Sequence, residues 1–185
     1  LLAGMFYANS LDNGFHYDDS HSIVENYHIR SLAYIGDFFV DPTTFSREPA
    51  MAMYRPLVQT TYALNYALGK YRPLGYHLVN IALHALAALL AHRVCHQITG
   101  DARVGVLAAR SMVLHPLHAE LINYISSRSD LLVAVLGMAA FAFAAGESGL
   151  SMSRPAAFVA FAAGLLSKSV AATAPVLIAA HALWA

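Results

Sequence analysis

Charged residues are scarce in this sequence. Asp, Glu, Lys and Arg make up 12% of its 185 residues, whereas hydrophobic residues make up 58% and the mean hydropathy is +0.51. Soluble globular chains carry about 25% charged residues. The composition therefore excludes a soluble enzyme or a disordered chain as a first interpretation, and it indicates a membrane protein or a piece of one.

Cysteine and clustered basic residues are also lacking. The chain has a single cysteine, Cys95, which excludes an internal disulfide and any metal cluster built from cysteines. Its formal net charge is zero, and Lys and Arg form no basic patch. Because nucleic-acid binding relies on such patches, we do not expect a nucleic acid as a partner.

Long apolar runs dominate the rest of the chain. They predict membrane helices at residues 73–96, 104–114, 131–146, 156–167 and 170–185. In the first of these, the stretch from Pro73 to His92 contains no Asp, Glu, Lys or Arg, and at 1.5 Å per residue it reaches the roughly 30 Å of a bilayer core. Residues 1–8 resemble the end of an earlier span. Since both ends lie in apolar runs, we expect one fragment of an all-α, polytopic transmembrane helix bundle.

Residues 9–72 form a long polar loop between the first two spans. Residues 12–55 hold seven of the eleven acidic residues. Helical spacing at residues 20–35 predicts one amphipathic helix, and residues 56–68 predict a second helix at the membrane interface. Tyr62 and Tyr66 suit the depth of the lipid headgroups there.

Alternating the spans places three polar segments on one side of the membrane. The acidic long loop favours the extracytoplasmic side for them. A carboxylate can deprotonate an acceptor hydroxyl, and Arg or Lys can hold a phosphate group. The pattern therefore predicts a transferase at the membrane surface. The chemistry-bearing residues on this side are Asp18, Asp19, His115, His118, Glu120, Arg128, Asp130 and Lys168.

Six short motifs, in this order, resemble the membrane glycosyltransferases of the GT-C type. The nearest family is that of the transmembrane and tetratricopeptide-repeat O-mannosyltransferases with their bacterial relatives. The resemblance extends over nearly the whole chain. The motifs are NGFHYDD at 13–19, YRPL at 54–57, GYHLVNIALH at 75–84, HPLHAE at 115–120, SRSDLL at 127–132 and LSK at 166–168.

The resemblance implies a polytopic helical enzyme with a catalytic acid in its first extracytoplasmic loop. Such enzymes transfer a sugar, here mannose or a similar hexose, from a polyprenyl or dolichyl phosphate to a Ser or Thr hydroxyl of a protein, with inversion. Membrane lipid is a further partner. No cofactor is implied, and metal independence is favoured over a divalent ion. The tetratricopeptide repeats that follow the membrane part in this family are absent from the sequence.

The resemblance also assigns roles to residues. Asp18 or Asp19 is the general base, and the choice between them stays open. Glu120 is the third residue of the catalytic centre. The residues implied to bind the substrate or its lipid phosphate are Arg55, His115, His118, Arg128, Asp130 and Lys168.

Other interpretations remain for these residues. The Asp18-Asp19 pair is also typical of a solvated turn or a helix cap. The spacing of His115, His118 and Glu120 is compatible with three metal ligands, although polar residues at a helix end are favoured and no metal site is predicted. His77, Asn80 and His84 share one helical face, which favours hydrogen-bonded packing between helices.

Two other functions are possible from the sequence. One is a non-catalytic membrane scaffold that anchors interaction repeats. The other is a transporter-like protein, for which ionisable groups should be spread through the depth of the bilayer. The alanine-rich spans favour a bacterial inner membrane over the endoplasmic reticulum.

Overall fold

The computed structural model describes residues 7–145 and 153–184. Within these two ranges every regular element is a helix or a helical turn, so the predicted all-α class is confirmed there. Residues 1–6 of the predicted first span lie outside the described residues. Residues 146–152, which include the last residue of the helix predicted at 131–146, and residue 185 also lie outside them.

Eight α-helices are present in the described ranges, and the last seven carry most of the fold. Pro56 and Pro73 stand in the first turns of two of them, where the missing proline N–H costs no hydrogen bond. In chain order the helices are α1 Ile35–Phe38, α2 Pro56–Gly69, α3 Pro73–Thr99, α4 Ala102–Leu114, α5 Ala119–Asn123, α6 Arg128–Ala144, α7 Ser153–Leu165 and α8 Ala174–Trp184.

Two helical stretches are long and apolar enough to cross a membrane. They are Pro73–Thr99 and Ile125–Ala144, the second of which includes α6 and the turn before it. The 27 residues of α3 extend over about 40 Å, more than the hydrocarbon thickness of a bilayer. The apolar stretches Arg154–Leu165 and Ser169–Trp184 are shorter. With the composition, the two long helices indicate a membrane protein, whereas a bundle of more spans stays a prediction.

Loop one, residues 9–55, does not contain the helix predicted at residues 20–35. The chain there forms a π-turn at Ser20–Val24 and 3₁₀ turns at His28–Arg30 and Leu32–Tyr34. Polar side chains interrupt a continuous helix, since the Asn26 carboxamide oxygen accepts the His28 N–H at 3.0 Å. Such local bonds offer the backbone an alternative to helical pairing. The prediction of a helix at residues 20–35 is therefore wrong.

Loop one folds back onto α2 and α3 through a small apolar core. Ile23, Ile29 and Phe38 from the loop pack with Val58 and Tyr62 of α2. Tyr62 is 1% exposed, so its ring packs inside the protein, and the predicted headgroup depth of Tyr62 and Tyr66 stays a prediction. The loop is thus held against α2 and the beginning of α3.

Candidate functional site

A cavity of about 170 Å³ lies between loop one, the beginning of α6 and the end of α7. It brings together four of the nine predicted site residues, although they are far apart in the sequence. Four serines and the half-buried Tyr124 add hydroxyl groups to the charged side chains. The lining residues are Asp18, Ser22, Phe45, Met53, Arg55, Tyr124, Ser126, Ser127, Ser129, Asp130 and Lys168.

Asp18 is the exposed acid of this cavity. Its side chain is 59% exposed, and its Oδ1 lies 3.6 Å from Nε2 of His21. The preceding residue, Tyr17, has a φ of 48°, a left-handed conformation that is unusual for a bulky side chain. The Asp18 N–H then donates to the Tyr124 hydroxyl at 3.1 Å. Backbone strain held in place by tertiary contacts is frequent at functional sites.

Asp19 is fully buried and has a different environment. Its Oδ1 accepts the Ser126 N–H at 2.9 Å and the Ser126 hydroxyl at 2.5 Å, and its Oδ2 accepts the His16 N–H at 2.9 Å. Burial raises the pKa of Asp19, and these hydrogen bonds act in the opposite direction. Asp19 therefore joins loop one to the segment before α6, and both of its oxygens are occupied.

Two cations face the same cavity as Asp18. Arg55 precedes α2, and its Nη1 donates to the Ser129 hydroxyl at 3.4 Å. Lys168 follows α7, and its Nζ lies 2.6 Å from Oδ1 of Asp130 in the first turn of α6. The beginning of α2 lies next to the end of α7, where the Leu57 N–H donates to the Leu166 carbonyl at 3.2 Å.

Arg128 does not reach the cavity, although its neighbours Ser127 and Ser129 line it. The guanidinium is fully buried and donates to Asn80 Oδ1 at 2.9 Å and to Asn65 Oδ1 at 2.6 Å. The Thr61 hydroxyl at 3.2 Å and the Tyr76 carbonyl at 2.9 Å accept further bonds. In this structure Arg128 has no surface left for the lipid phosphate that the sequence assigned to it.

His115, His118 and Glu120 of the motif at residues 115–120 also lie away from the cavity lining. His115 is exposed, and its Nδ1 accepts the Leu117 N–H at 3.3 Å. His118 Nδ1 lies 2.6 Å from the Met112 carbonyl, and its ring contacts that of the buried His84. Glu120 is exposed in the first turn of α5. The structure thus does not bring His115, His118 and Glu120 together with Asp18.

The predicted packing role of the α3 polar face is confirmed for two of its residues. His77 Nδ1 lies 3.0 Å from the Ile122 carbonyl, and Asn80 Nδ2 donates to the Ile125 carbonyl at 3.3 Å. His84 packs edge-on against Tyr7 at 5.5 Å without a hydrogen bond to its ring nitrogens in the described part of the chain.

Sequence reasoning missed His21 and Ser126. His21 follows Asp18 by three residues, a spacing that one helical turn brings together, so the signal was present. Ser126 lies 107 residues from Asp19 and gives no such local signal. Across residues 7–145 and 153–184, no group of three His, Cys, Asp or Glu side chains could hold a metal ion.

The chain is similar to several curated proteins named protein O-mannosyl-transferase. It is 34% identical to TMTC3 of Mus musculus over 73% of this chain and 15% of that protein. It is 37% identical to Tmtc1 of Drosophila melanogaster over 76% of this chain and 17% of the relative. Tmtc2 of Drosophila melanogaster is 30% identical over 94% of this chain and 20% of its own length.

No protein-family model matches the chain, and no solved structure matches it. The chain spans about a fifth or less of the length of the curated relatives that it matches. Since these relatives are at least 30% identical over most of its residues, the chain belongs to the TMTC family, whose curated members are named protein O-mannosyl-transferases.

Proposed function

We propose that the full-length protein is a GT-C type glycosyltransferase. It transfers mannose or a similar hexose from a polyprenyl or dolichyl phosphate to a Ser or Thr hydroxyl of a protein. The observation that carries this proposal is the cavity in which the Asp18 carboxylate meets Arg55 and Lys168. The names of the relatives support the mannosyl group and the protein acceptor.

The chemistry is a single displacement at the anomeric carbon. The acceptor oxygen attacks this carbon while its proton passes to the Asp18 carboxylate. The bond from the anomeric carbon to the phosphate oxygen breaks, and its electron pair leaves with the lipid phosphate. Arg55 and Lys168 stabilise the negative charge of that phosphate, and the configuration of the sugar inverts.

Asp18 is a better base than Asp19 in this arrangement. A base must reach the proton of its substrate, and Asp18 is exposed at the cavity whereas Asp19 is buried with both oxygens hydrogen-bonded. Tyr124 also lines the cavity, but burial is the main cause that raises its pKa to about 12. Its hydroxyl therefore stays protonated at neutral pH and does not compete as the base.

The proposal also places the cavity relative to the membrane. Loop one and the cavity lie on the extracytoplasmic side, beside the end of α3 at Pro73, so that the sugar phosphate of a lipid donor lies at the depth of the headgroups. The reaction proceeds without a metal ion, and the membrane is the bacterial inner membrane. The tetratricopeptide repeats of the family follow the membrane part in the full-length protein.

The test measures sugar release from polyprenyl-phosphate mannose by the full-length protein in detergent. Asp18→Asn keeps the size of the side chain but removes the base, so we expect transfer to fall by roughly 10²- to 10⁴-fold. The thermal unfolding midpoint should stay near that of the wild type, because Asp18 is exposed. Asp12→Asn is the matched control, since Asp12 is exposed in the same loop and does not line the cavity.

Asp19→Asn separates the two acids. An amide at this position turns an N–H donor towards Ser126 or His16, so this variant should unfold at a lower temperature than Asp18→Asn. Full transfer by Asp18→Asn contradicts the assignment of the base. No release by the wild type from any of several lipid-linked hexoses favours the scaffold function instead.

A further inference from the structure

His21 is a buried histidine next to the proposed base. Its side chain is only 10% exposed, and Nε2 lies 3.6 Å from Oδ1 of Asp18. No other polar atom of the described chain is bonded to this buried nitrogen. An imidazole aimed at a catalytic carboxylate is in a position to control both its orientation and its charge.

The other ring nitrogen of His21 is held by Ser46. The distance from Nδ1 to the Ser46 hydroxyl oxygen is 2.9 Å, and that oxygen also accepts the Glu48 N–H at 2.9 Å. One of the two lone pairs of the Ser46 oxygen accepts the Glu48 N–H, and the Ser46 hydroxyl can donate its proton to Nδ1. This assignment leaves the proton of the neutral imidazole on Nε2, facing Asp18.

Two segments of loop one fix this arrangement. The Arg47 N–H donates to the His21 carbonyl at 3.0 Å, and the Asn26 carboxamide donates to the Thr44 and Phe45 carbonyls at 3.0 Å each. The turn that carries Asp18 and His21 is thereby bonded to the segment that carries Ser46. Because both segments are bonded to each other, the imidazole can gain or lose a proton without moving.

We propose that His21 is a positioning residue for Asp18, an inference that rests on the proposed role of Asp18 as the base. The neutral ring donates Nε2–H to Oδ1 and leaves Oδ2 for the acceptor hydroxyl. At 3.6 Å the two atoms lie beyond hydrogen-bond distance, so this bond forms when the exposed Asp18 side chain moves towards the ring. A protonated ring forms an ion pair that holds the carboxylate in its charged form and makes it a poorer proton acceptor. His21 therefore makes the rate of sugar transfer depend on pH.

Other charged groups near this pair are already accounted for. Arg47 and Glu25 pair with each other at 3.2 Å. Asp19 is buried beside Asp18, and the charge of His16 acts on it. The remaining ones line the cavity with Asp18. They are Arg55, Asp130, Lys168 and the protonated Tyr124.

The test compares His21→Gln with the wild type in the full-length protein, with kcat measured across a range of pH. The Gln amide can still donate to Asp18 but cannot ionise. We expect the fall of kcat in acid to move to lower pH, with the KM for the lipid-linked sugar within about twofold of wild type. His21→Ala removes the donor altogether and should lower kcat by roughly 10- to 100-fold, through a misplaced carboxylate.

His28→Gln is the matched control, because His28 is another histidine of loop one that stacks on Tyr27 instead of facing Asp18. Its profile against pH should coincide with that of the wild type. A His21→Gln profile that is merely scaled down at every pH overturns the inference and leaves the proposed function intact. Transfer that survives in Asp18→Asn, or is absent from the wild type, overturns both.

Discussion

Arg128 is a cation buried without a carboxylate partner among the residues that the structure describes. Neutral groups solvate it instead, namely the amide oxygens of Asn65 and Asn80 and the carbonyl of Tyr76. Its guanidinium carbon also lies 4.9 Å from the centre of the Tyr62 ring, within the range of a cation–π contact. One side chain therefore joins α2, α3 and α6.

Arg128→Ala should destabilise the protein strongly. The variant leaves several buried acceptors without a donor, each at a cost of about 1–3 kcal/mol, and so should lower the free energy of unfolding by about 3 kcal/mol or more. Arg128→Lys should also destabilise, since an ammonium cannot reach four acceptors spread around a planar group. Thermal or denaturant unfolding in detergent measures both.

Arg110→Ala is the control for this prediction. Arg110 is exposed on α4, so its removal should change the free energy of unfolding by no more than about 0.5 kcal/mol.

A raised KM for the lipid donor in a stable Arg128→Lys protein would support the contact with phosphate that the sequence predicted.

The position of Arg128 could not be predicted from the sequence, in contrast to that of Asp18. The motif at 127–132 identifies a polar segment at a helix start, but consecutive residues of a helix point about 100° apart. Which of them faces inward depends on Asn80 and Asn65, which are 48 and 63 residues away. The family resemblance named Asp18, Arg55, Asp130 and Lys168 as site residues, and these four line one cavity.

At the scale of elements, Gly105 of α4 allows a close contact between the backbones of α4 and α3. A Cβ atom at Gly105 would lie 2.6 Å from the His92 carbonyl oxygen and 2.6 Å from its Nδ1. Small residues that allow such approach take the place of hydrophobic burial as the basis of packing inside membranes. The short α4 is thereby held against the end of α3 that is distant from the cavity.

Gly105→Ala should therefore lower the thermal unfolding midpoint, because the two backbones must separate to admit the methyl group. Gly137→Ala in α6 is the matched control, since no atom lies within 4 Å of a Cβ built there. Alanine favours a helix over glycine, so the control should be as stable as the wild type or more stable. Equal stability of the two variants would contradict the close contact.

The helices after residue 55 could be predicted better than loop one. Apolar runs and the prolines at 56 and 73 define α2 and α3 locally, and Gly100 ends α3 in a left-handed conformation. The turns of residues 20–34 depend instead on bonds such as that of the Asn26 amide to Thr44, which periodicity cannot reveal. The spacing of apolar residues there reflects burial on α2 rather than a regular helix.

At the scale of the whole molecule, α3 separates the cavity from the loop at Gly100. If α3 crosses the bilayer, Asp12 and Asp101 lie on opposite sides of the membrane; both are exposed. Asp12→Cys and Asp101→Cys, each in a background without other cysteines, should be labelled by an impermeant maleimide from opposite sides of sealed vesicles. Labelling of both from the same side would contradict the spanning of α3.

The bonds between Asp19 and Ser126 have a consequence for biosynthesis. The two residues are separated by 107 positions, which a ribosome making 5–20 residues per second covers in roughly 5–20 s. During that interval the Asp19 carboxylate has none of its Ser126 partners, although the apolar residues of loop one can already pack on α2. Synthesis of the turn before α6 therefore completes the bonding of loop one, and a pause in translation before it would leave Asp19 without its Ser126 partners.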